Sequence, residues 1–317
     1  PVYAEVGGNA TAISAGNHFS CALLENGSVT CWGDNNYGKL GHGSSASRSE
    51  TPVNVVLPSD RFAVSISTGG NHACAVLDNG SVTCWGSGWN GQLGFGQPSG
   101  DWESNVPVHV DLPRSSTDVS LGEQSSCALF DNGYVGCWGA DGYGQLGDGD
   151  GGGATSDGGS AWSWDWNGRG EDGYVEFEND STVVSVSSGL NHVCAVITGG
   201  NLTCWGLNDH GQLGEGTTTD SGTPSIVALV LPDERAAVAI SAGKNHACVV
   251  FTNSTVSCWG LNDAGQLGDN TTTDSVEPVG ADLPRSVDYG DFDPDRDGII
   301  TPFDEDPLNS ELPHTAD

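Results

Sequence analysis

The chain has 317 residues, 42 of them acidic and 9 basic, for a formal net charge of −33, with 48 glycines, 10 tryptophans and no methionine. That balance argues against binding to a nucleic-acid backbone or an anionic membrane surface, because both rely on Lys and Arg displacing counterions. It suits solubility in salt and attraction of divalent cations. No apolar run reaches the roughly 18 residues of a membrane-spanning helix, and glycine without a triplet period indicates turn-rich β structure. The sequence carries no charged-then-apolar leader, as expected of a chain whose signal peptide has been removed or was never part of it.

In chain order, Pro1–Val6 comes first, with Val2, Ala4 and Val6 alternating against Tyr3 and Glu5 as in a half-buried strand. A short apolar strand at Ala12–Gly16 follows, and then a cassette running from Cys21 to Cys31-Trp32-Gly33. A loop closes at Gly38-Lys39-Leu40-Gly41, and an extended segment runs from Thr51 to Pro58. This unit recurs five times. Its cysteines are Cys21 and Cys31, Cys74 and Cys84, Cys127 and Cys137, Cys194 and Cys204, and Cys248 and Cys258. Each second cysteine is followed by Trp-Gly, at Trp32, Trp85, Trp138, Trp205 and Trp259. Such a period signals a repeat architecture. Four short strands per unit, punctuated by glycine, describe one blade of a β-propeller, with proline restricting the last strand to a sheet edge. The expected fold is therefore all-β, a propeller of five repeats of about 53 residues over residues 1–286, with a short irregular tail over 287–317.

The cysteines are the strongest local signal. Zinc sites use knuckles of two to four intervening residues, and none occurs here. A three-residue loop Glu25-Asn26-Gly27, with Gly27 left-handed, pairs Leu23 with Val29, Ala22 with Thr30 and Cys21 with Cys31. The two cysteines then share a non-hydrogen-bonded pair, where Cα atoms come closest and a disulfide fits. The spacing is the same in all five copies, so five intra-hairpin disulfides are expected, and with them an extracellular or cell-surface location.

The string Gly70-Asn71-His72-Ala73-Cys74-Ala75-Val76-Leu77-Asp78-Asn79-Gly80-Ser81-Val82-Thr83-Cys84-Trp85-Gly86, together with the Gly-Gln-Leu-Gly closures, resembles the repeats of the regulator of chromosome condensation family across residues 12 to 285. The resemblance implies a β-propeller used for binding. The family's activities include nucleotide exchange on a small GTPase, chromatin docking and inhibition of a secreted hydrolase. Disulfides and the acidic charge argue against the first two. The family usually closes seven blades, while this chain has five hairpins and one surplus extended segment. That segment, Pro1–Val6, could close the ring, lie on an edge or add to the last blade of a neighbouring molecule.

The third unit carries about thirteen extra residues around 148–173, a Gly/Asp-rich stretch ending in Trp162, Trp164 and Trp166. It is either a lid on its own propeller or a contact loop for a glycan or protein. The tail holds Asp293-Pro-Asp295-Arg-Asp297-Gly298-Ile299, with Asp304 at the twelfth position and Asp291 and Asp306 flanking. It resembles thrombospondin type 3 and dockerin-like calcium loops, which implies Ca2+ held by Asp291, Asp293, Asp295, Asp297, Ile299, Asp304 and Asp306. The alternative is a merely acidic tail. Candidate N-glycosylation sites are Asn9, Asn26, Asn79, Asn179, Asn201, Asn253 and Asn270.

His72, His192 and His246 belong to the repeat and are expected to be structural. No nucleophile–base–acid set and no phosphate-cradling loop is recognisable, so the chain is not expected to be an enzyme. The reading is a non-enzymatic extracellular or cell-surface structural or adhesive glycoprotein, including a self-assembling filament subunit. Its partners would be itself, another extracellular protein or a glycan. The alternative is a secreted protein-binding module or hydrolase inhibitor presenting one propeller face.

Overall fold

The computed structural model describes residues 4–94, 103–149, 175, 177, 181–227 and 236–281. The chain divides into two units, Pro1–Ala281 and Asp282–Asp317, the second of which lies outside the described residues. The first unit is a series of antiparallel sheets, one per repeat. Blade 1 orders β1 (Ala10–Gly16), β2 (Phe19–Leu24), β3 (Val29–Asp34) and β4 (Arg48–Asn54), and blade 2 orders β5 (Ala63–Thr68), β6 (His72–Leu77), β7 (Val82–Ser87) and β8 (Glu103–Val110). Blade 3 contains β9 (Ser116–Leu121), β10 (Ser125–Phe130) and β11 (Val135–Gly139). Its outer edge reaches Val175, whose N–H donates to the Val135 carbonyl at 2.8 Å. Blade 4 comprises β12 (Val183–Ser188), β13 (His192–Ile197), β14 (Asn201–Gly206) and β15 (Ser221–Ile226). Blade 5 comprises β16 (Ala237–Ala242), β17 (His246–Phe251), β18 (Val256–Gly260) and β19 (Ser275–Gly280).

The hairpins have the register that the cysteine spacing predicts. Cys21 faces Cys31, Ala22 faces Thr30 and Leu23 faces Val29 across β2 and β3. Gly27 sits at φ 75° in the loop, and its N–H donates to the Leu24 carbonyl at 2.8 Å. All ten cysteines pair within their own hairpins: Cys21 with Cys31, Cys74 with Cys84, Cys127 with Cys137, Cys194 with Cys204 and Cys248 with Cys258. The paired Cα atoms are 4.0 to 4.1 Å apart. The prolines Pro52, Pro107, Pro224 and Pro278 lie in the outermost strands β4, β8, β15 and β19. A missing N–H costs no ladder bond on an open edge.

One expectation is corrected here. Residues Ala4–Val6 are not in a strand, and Pro1–Tyr3 lie outside the described residues. The edge of β18 is already covered by β19, with Cys258 opposite Val279. Blade 5 therefore has no gap beside β18 into which a neighbour's Pro1–Val6 could insert.

Burial concentrates between blades. The core falls into four clusters, each spanning consecutive blades. The first gathers Leu23, Leu40 and Val55 of blade 1 with Ile66, Ala75 and Trp85 of blade 2. Equivalent clusters join blades 2 and 3, 3 and 4, and 4 and 5. Each blade thus has a trailing face that covers the leading face of the next. This nearest-neighbour arrangement is what makes repeat proteins quasi-one-dimensional.

Candidate functional site

The inner strands β1, β5, β9, β12 and β16 surround a polar cavity of about 970 Å³. Glycine ends each of these strands or follows it directly, because the chains there nearly touch. A Cβ on Gly16 would lie 2.4 Å from the Gly69 carbonyl oxygen, and one on Gly69 would lie 2.3 Å from that of Gly122. Hydroxyls tie the walls together: Thr68 N–H donates to Ser14 Oγ at 3.0 Å, Ser188 N–H to Ser120 Oγ at 2.8 Å and Ala242 N–H to Ser187 Oγ at 2.9 Å. Asn17 of blade 1 donates its amide to both carboxylate oxygens of Glu123 in blade 3, at 3.0 and 3.1 Å. Lys244 and Tyr143 line the same cavity. Backbone and short polar side chains form most of its wall. Among the described residues no group of three or more His, Cys, Asp or Glu side chains is placed to hold a metal ion.

The repeated tryptophans make the junctions. The indole N–H of Trp85 donates to the Lys39 carbonyl at 3.0 Å, that of Trp138 to Gln92 at 2.9 Å, that of Trp205 to Gln145 at 3.1 Å and that of Trp259 to Gln212 at 2.9 Å. Each ring lies against the closing glycine of the previous blade. A Cβ on Gly41 would meet the Trp85 nitrogen at 2.7 Å, and one on Gly214 would meet that of Trp259 at 2.8 Å. This explains the Gly-x-Leu-Gly signature physically: the Leu fills the core and the last Gly leaves room for an indole. Asn35, Asp141, Asn208 and Asn262 hold the loop before it, each accepting the N–H of the signature leucine at 2.9 to 3.0 Å.

His72 and His192 are buried between blades. His72 Nε2 lies 2.9 Å from Ser126 Oγ of the next blade, and burial pushes its pKa down to about 3. Burial first, and then the charge of His246, lowers His192 to about 4. His246, only half-buried, is lowered for the same reason of desolvation. These are neutral packing groups, as their one-per-blade placement implies.

One polar group escaped the sequence reading. Lys39 takes the slot that Gln92, Gln145, Gln212 and Gln266 hold elsewhere, and it is fully buried at the junction of blades 1 and 2. Its ammonium meets Asp34 at 2.6 Å, the Asn17 carbonyl at 3.0 Å and Asn71 Oδ1 at 2.9 Å, and lies 5.3 Å from the Phe19 ring centroid. The signal was present: Lys replaces Gln in the same unit where Asp34 follows Trp-Gly and Phe19 replaces the usual His.

The sequence-predicted sites fall in three groups. The cysteines are brought together in pairs inside the blades, where the second members Cys31, Cys84, Cys137, Cys204 and Cys258 are all buried beside their Trp-Gly. Asn9, Asn26, Asn79, Asn201, Asn253 and Asn270 are exposed, and Asn26, Asn79 and Asn253 stand on hairpin loops, where each accepts from the Ser or Thr hydroxyl two residues on at 2.7 Å. Asn179, the tryptophans Trp162, Trp164 and Trp166, and the proposed calcium ligands lie outside the described residues.

Five repeated antiparallel sheets around a polar cavity, with junction tryptophans, define a β-propeller repeat protein. The RCC1-like domain model matches residues 1–290, and the chain belongs to that family. Human E3 ubiquitin-protein ligase HERC2 is 32% identical over 219 residues, covering 68% of this chain and 4% of that protein. The Ultraviolet-B receptor UVR8 of Arabidopsis thaliana is 28% identical over 280 residues, covering 88% of this chain and 59% of its own length. The chain therefore spans less than two thirds of either relative. Among solved structures, human WBSCR16 superposes with a TM-score of 0.72 at 21% identity, covering 87% of this chain and 67% of that one. Prp20p from Saccharomyces cerevisiae gives 0.71 at 20% identity, covering 89% and 64%. At such identities these two structures show the shared fold.

Proposed function

We propose that this protein is a secreted, non-enzymatic scaffold with a structural or adhesive role at or outside the cell surface, acting through protein contacts of its blades. The observation that carries this reading is the pairing of all ten cysteines within hairpins. Such bridges form and persist chiefly in oxidising compartments, and a propeller stapled in every blade suits a surface exposed to proteases. RCC1-like domains are generally binding or exchange modules rather than catalysts, and the relatives named above include a receptor and a ligase of far greater length. The net charge of −33 favours an extracellular, ion-rich setting over chromatin. The aspartates from Asp291 to Asp306 would then hold Ca2+, and oligosaccharides on Asn26, Asn79 and Asn253 would project from the blade tips.

A second reading has one observation in its favour. The polar cavity edged by Asn17, Glu123 and Lys244 would accept a loop of a soluble partner, as an inhibitor or binding module requires.

The test is the thiol state and location of the native protein. Non-reducing peptide mapping of material from the culture medium or cell surface should return five intra-hairpin bridges. Ten free thiols in a protein retained in the cytosol would sink the extracellular reading. Calorimetry on the full chain should show calcium binding that is lost in Asp293→Asn/Asp295→Asn. Absence of binding to the unmodified chain removes calcium from the proposal without touching the rest.

A further inference from the structure

The five disulfides each lie inside one hairpin, so none of them ties a blade to its neighbour. The junction of blades 1 and 2 holds a different set of groups. Lys39 stands where the other units have Gln92, Gln145, Gln212 and Gln266, and Asp34 stands where they have Ser87, Ala140, Leu207 and Leu261. An amine and a carboxylate thus enter the repeat in the same unit, and they meet: Lys39 Nζ lies 2.6 Å from Asp34 Oδ2. The same nitrogen donates to the carboxamide oxygen of Asn71, in blade 2, at 2.9 Å. The lysine side chain is 1% exposed, and the Phe19 ring lies 5.3 Å from its ammonium. In the other units the glutamine at this position offers no nucleophilic nitrogen.

We propose that Lys39 and Asn71 condense into an isopeptide bond that joins blade 1 to blade 2, with Asp34 carrying the proton. The Lys39 ammonium passes a proton to Asp34 Oδ2, which is within the reach a general base needs. The freed amine attacks Asn71 Cγ, which is one C=O bond beyond Oδ1 and so at most about 4 Å from Nζ. The Asp34 carboxyl gives its proton to the amide nitrogen of the adduct and takes one from the attacking nitrogen. The carboxamide C–N bond breaks, and ammonia leaves with the remaining proton as ammonium. A lysine ammonium and a carboxamide have become an amide and an ammonium ion, and no oxidant or reductant takes part.

The reacting groups are held in place from several sides. The Lys39 carbonyl accepts the Trp85 indole N–H at 3.0 Å, and the Asn71 carbonyl accepts the Ser87 N–H at 2.8 Å. Asp34 Oδ1 accepts from the Asn36 amide at 2.8 Å, which turns Oδ2 toward the lysine. The Asn17 carbonyl, 3.0 Å from Nζ, fixes the nitrogen further. Such positioning makes an otherwise slow amide exchange effectively unimolecular, and the small product is lost to solvent, so the bond accumulates. The junction would then be covalent whatever the redox state of the cysteines. The inference goes beyond the reading above and does not rest on it.

The experiment is peptide mapping of the folded full chain after reduction and alkylation. Trypsin should fail to cut at Lys39 and should return residues 1–48 joined to residues 62–114, one ammonia lighter than the two peptides together. Fragmentation should place the link between Lys39 and Asn71. Lys39→Gln, which restores the residue of the other four units, should keep the parent's circular dichroism and lose the linked species entirely. Asp34→Asn keeps both reactants and should slow the appearance of the linked species after refolding at least about a hundredfold. Complete cleavage after Lys39 with separate peptides, in the folded parent after prolonged incubation, overturns the inference and leaves Lys39 as an ion-pair residue. A link mapped to Asp34, with water lost in place of ammonia, also overturns it. So does an ammonia-light product that persists in Lys39→Gln, which would mark ring closure at an asparagine elsewhere. A rate unchanged in Asp34→Asn overturns the assignment of proton transfer to Asp34. The parent's own digest decides the main point, so a variant that fails to fold does not rescue the proposal, and no outcome bears on location or thiol state.

Discussion

Blade 2 and blade 5 carry closely similar hairpins in different surroundings. In β6, His72-Ala73-Cys74-Ala75-Val76-Leu77, all six residues are buried. In β17, His246-Ala247-Cys248-Val249-Val250-Phe251, His246 and Cys248 are partly exposed and Val250 is open to solvent. The strands have the same length, register and disulfide, so the difference lies in what covers them. Among the described residues, blade 2 is enclosed by blades 1 and 3, whereas blade 5 has blade 4 on one side only. The repeat sequence encodes a blade with two mating faces, and position in the series decides whether each face is used. Stability should therefore vary along the chain even where the sequence does not, as expected where each repeat is held by its neighbours.

The comparison breaks most visibly at the tryptophans. Trp205 is fully buried and hydrogen-bonded across the junction of blades 3 and 4. Trp205→Ala should cost about 3–5 kcal/mol, the range for deleting a buried aromatic side chain. Trp32→Ala should cost less than that, because Trp32 is partly exposed and has less buried area to lose. Urea denaturation of the two variants under dilute, low-salt conditions checks this. Equal losses would mean that blade 1 is covered in solution.

Acid should affect the enclosed blades more strongly. His72 and His192 have folded pKa values of about 3 and about 4, below the ordinary 6.5, chiefly because burial disfavours the imidazolium. Between those values and 6.5 the unfolded chain binds protons that the folded chain does not. Stability is therefore complete above about pH 6.5 and falls as the pH is lowered, by up to about 1.4 kcal/mol per pH unit for each histidine. His72→Phe, which takes the residue found at position 19, should remove one histidine's share of that slope between pH 6.5 and 4. A slope unchanged in that variant would show that His72 is not buried neutral.

The disulfides sharpen the same contrast. Each closes a short loop, so each should contribute at the low end of about 2–4 kcal/mol. Access should differ more than energy. Cys74 and Cys84 are completely buried, as are Cys194 and Cys204, whereas Cys248 is partly exposed. Mild reduction followed by alkylation and mass mapping should open 248–258 first and 74–84 among the last. Simultaneous loss of all five would show that the blades open together.

Much of this was legible in the sequence, for reasons that are local. A ten-residue separation between cysteines and a three-residue loop leave one antiparallel register, so Cys21 opposite Cys31 follows from counting, and so does Cys127 opposite Cys137. Proline in each extended segment marked the outer strands. What local pattern could not supply was the environment of each face. Ile13 and Ile66 read alike in the sequence, and only the neighbouring blade makes one a surface residue and the other core. The alternation in Pro1–Val6 suggested a strand, yet Ala4–Val6 form none, since alternation does not create a partner edge. Lys39 stands in the sequence as a variant of the Gly-Gln-Leu-Gly motif; its hydrogen bond to Asn71 of blade 2 follows only from the packing of the two blades.

The smallest effect tests what the residue at the hairpin tip contributes to a blade junction. Ser254 sits at φ 63°, where the other hairpins have glycine. A left-handed conformation costs a non-glycine residue roughly 1–2 kcal/mol, so Ser254→Gly relieves strain. Glycine also loses more backbone freedom on folding, a penalty of about 0.5–1 kcal/mol relative to alanine. The two nearly cancel, and Ser254→Gly should stabilise the monomer by less than about 1 kcal/mol. The reciprocal change, Gly80→Ser, has no such cancellation, because its Cβ would lie 2.6 Å from Ser115 Cβ in the next blade. Thermal denaturation of the pair separates backbone strain from junction crowding. If Gly80→Ser is as mild as Ser254→Gly, the hairpin tips do not hold the blades together and the glycines serve the turn alone. A marked loss confined to Gly80→Ser means that the tip glycines are needed where the next blade packs on the hairpin tip, as Ser115 does on Gly80.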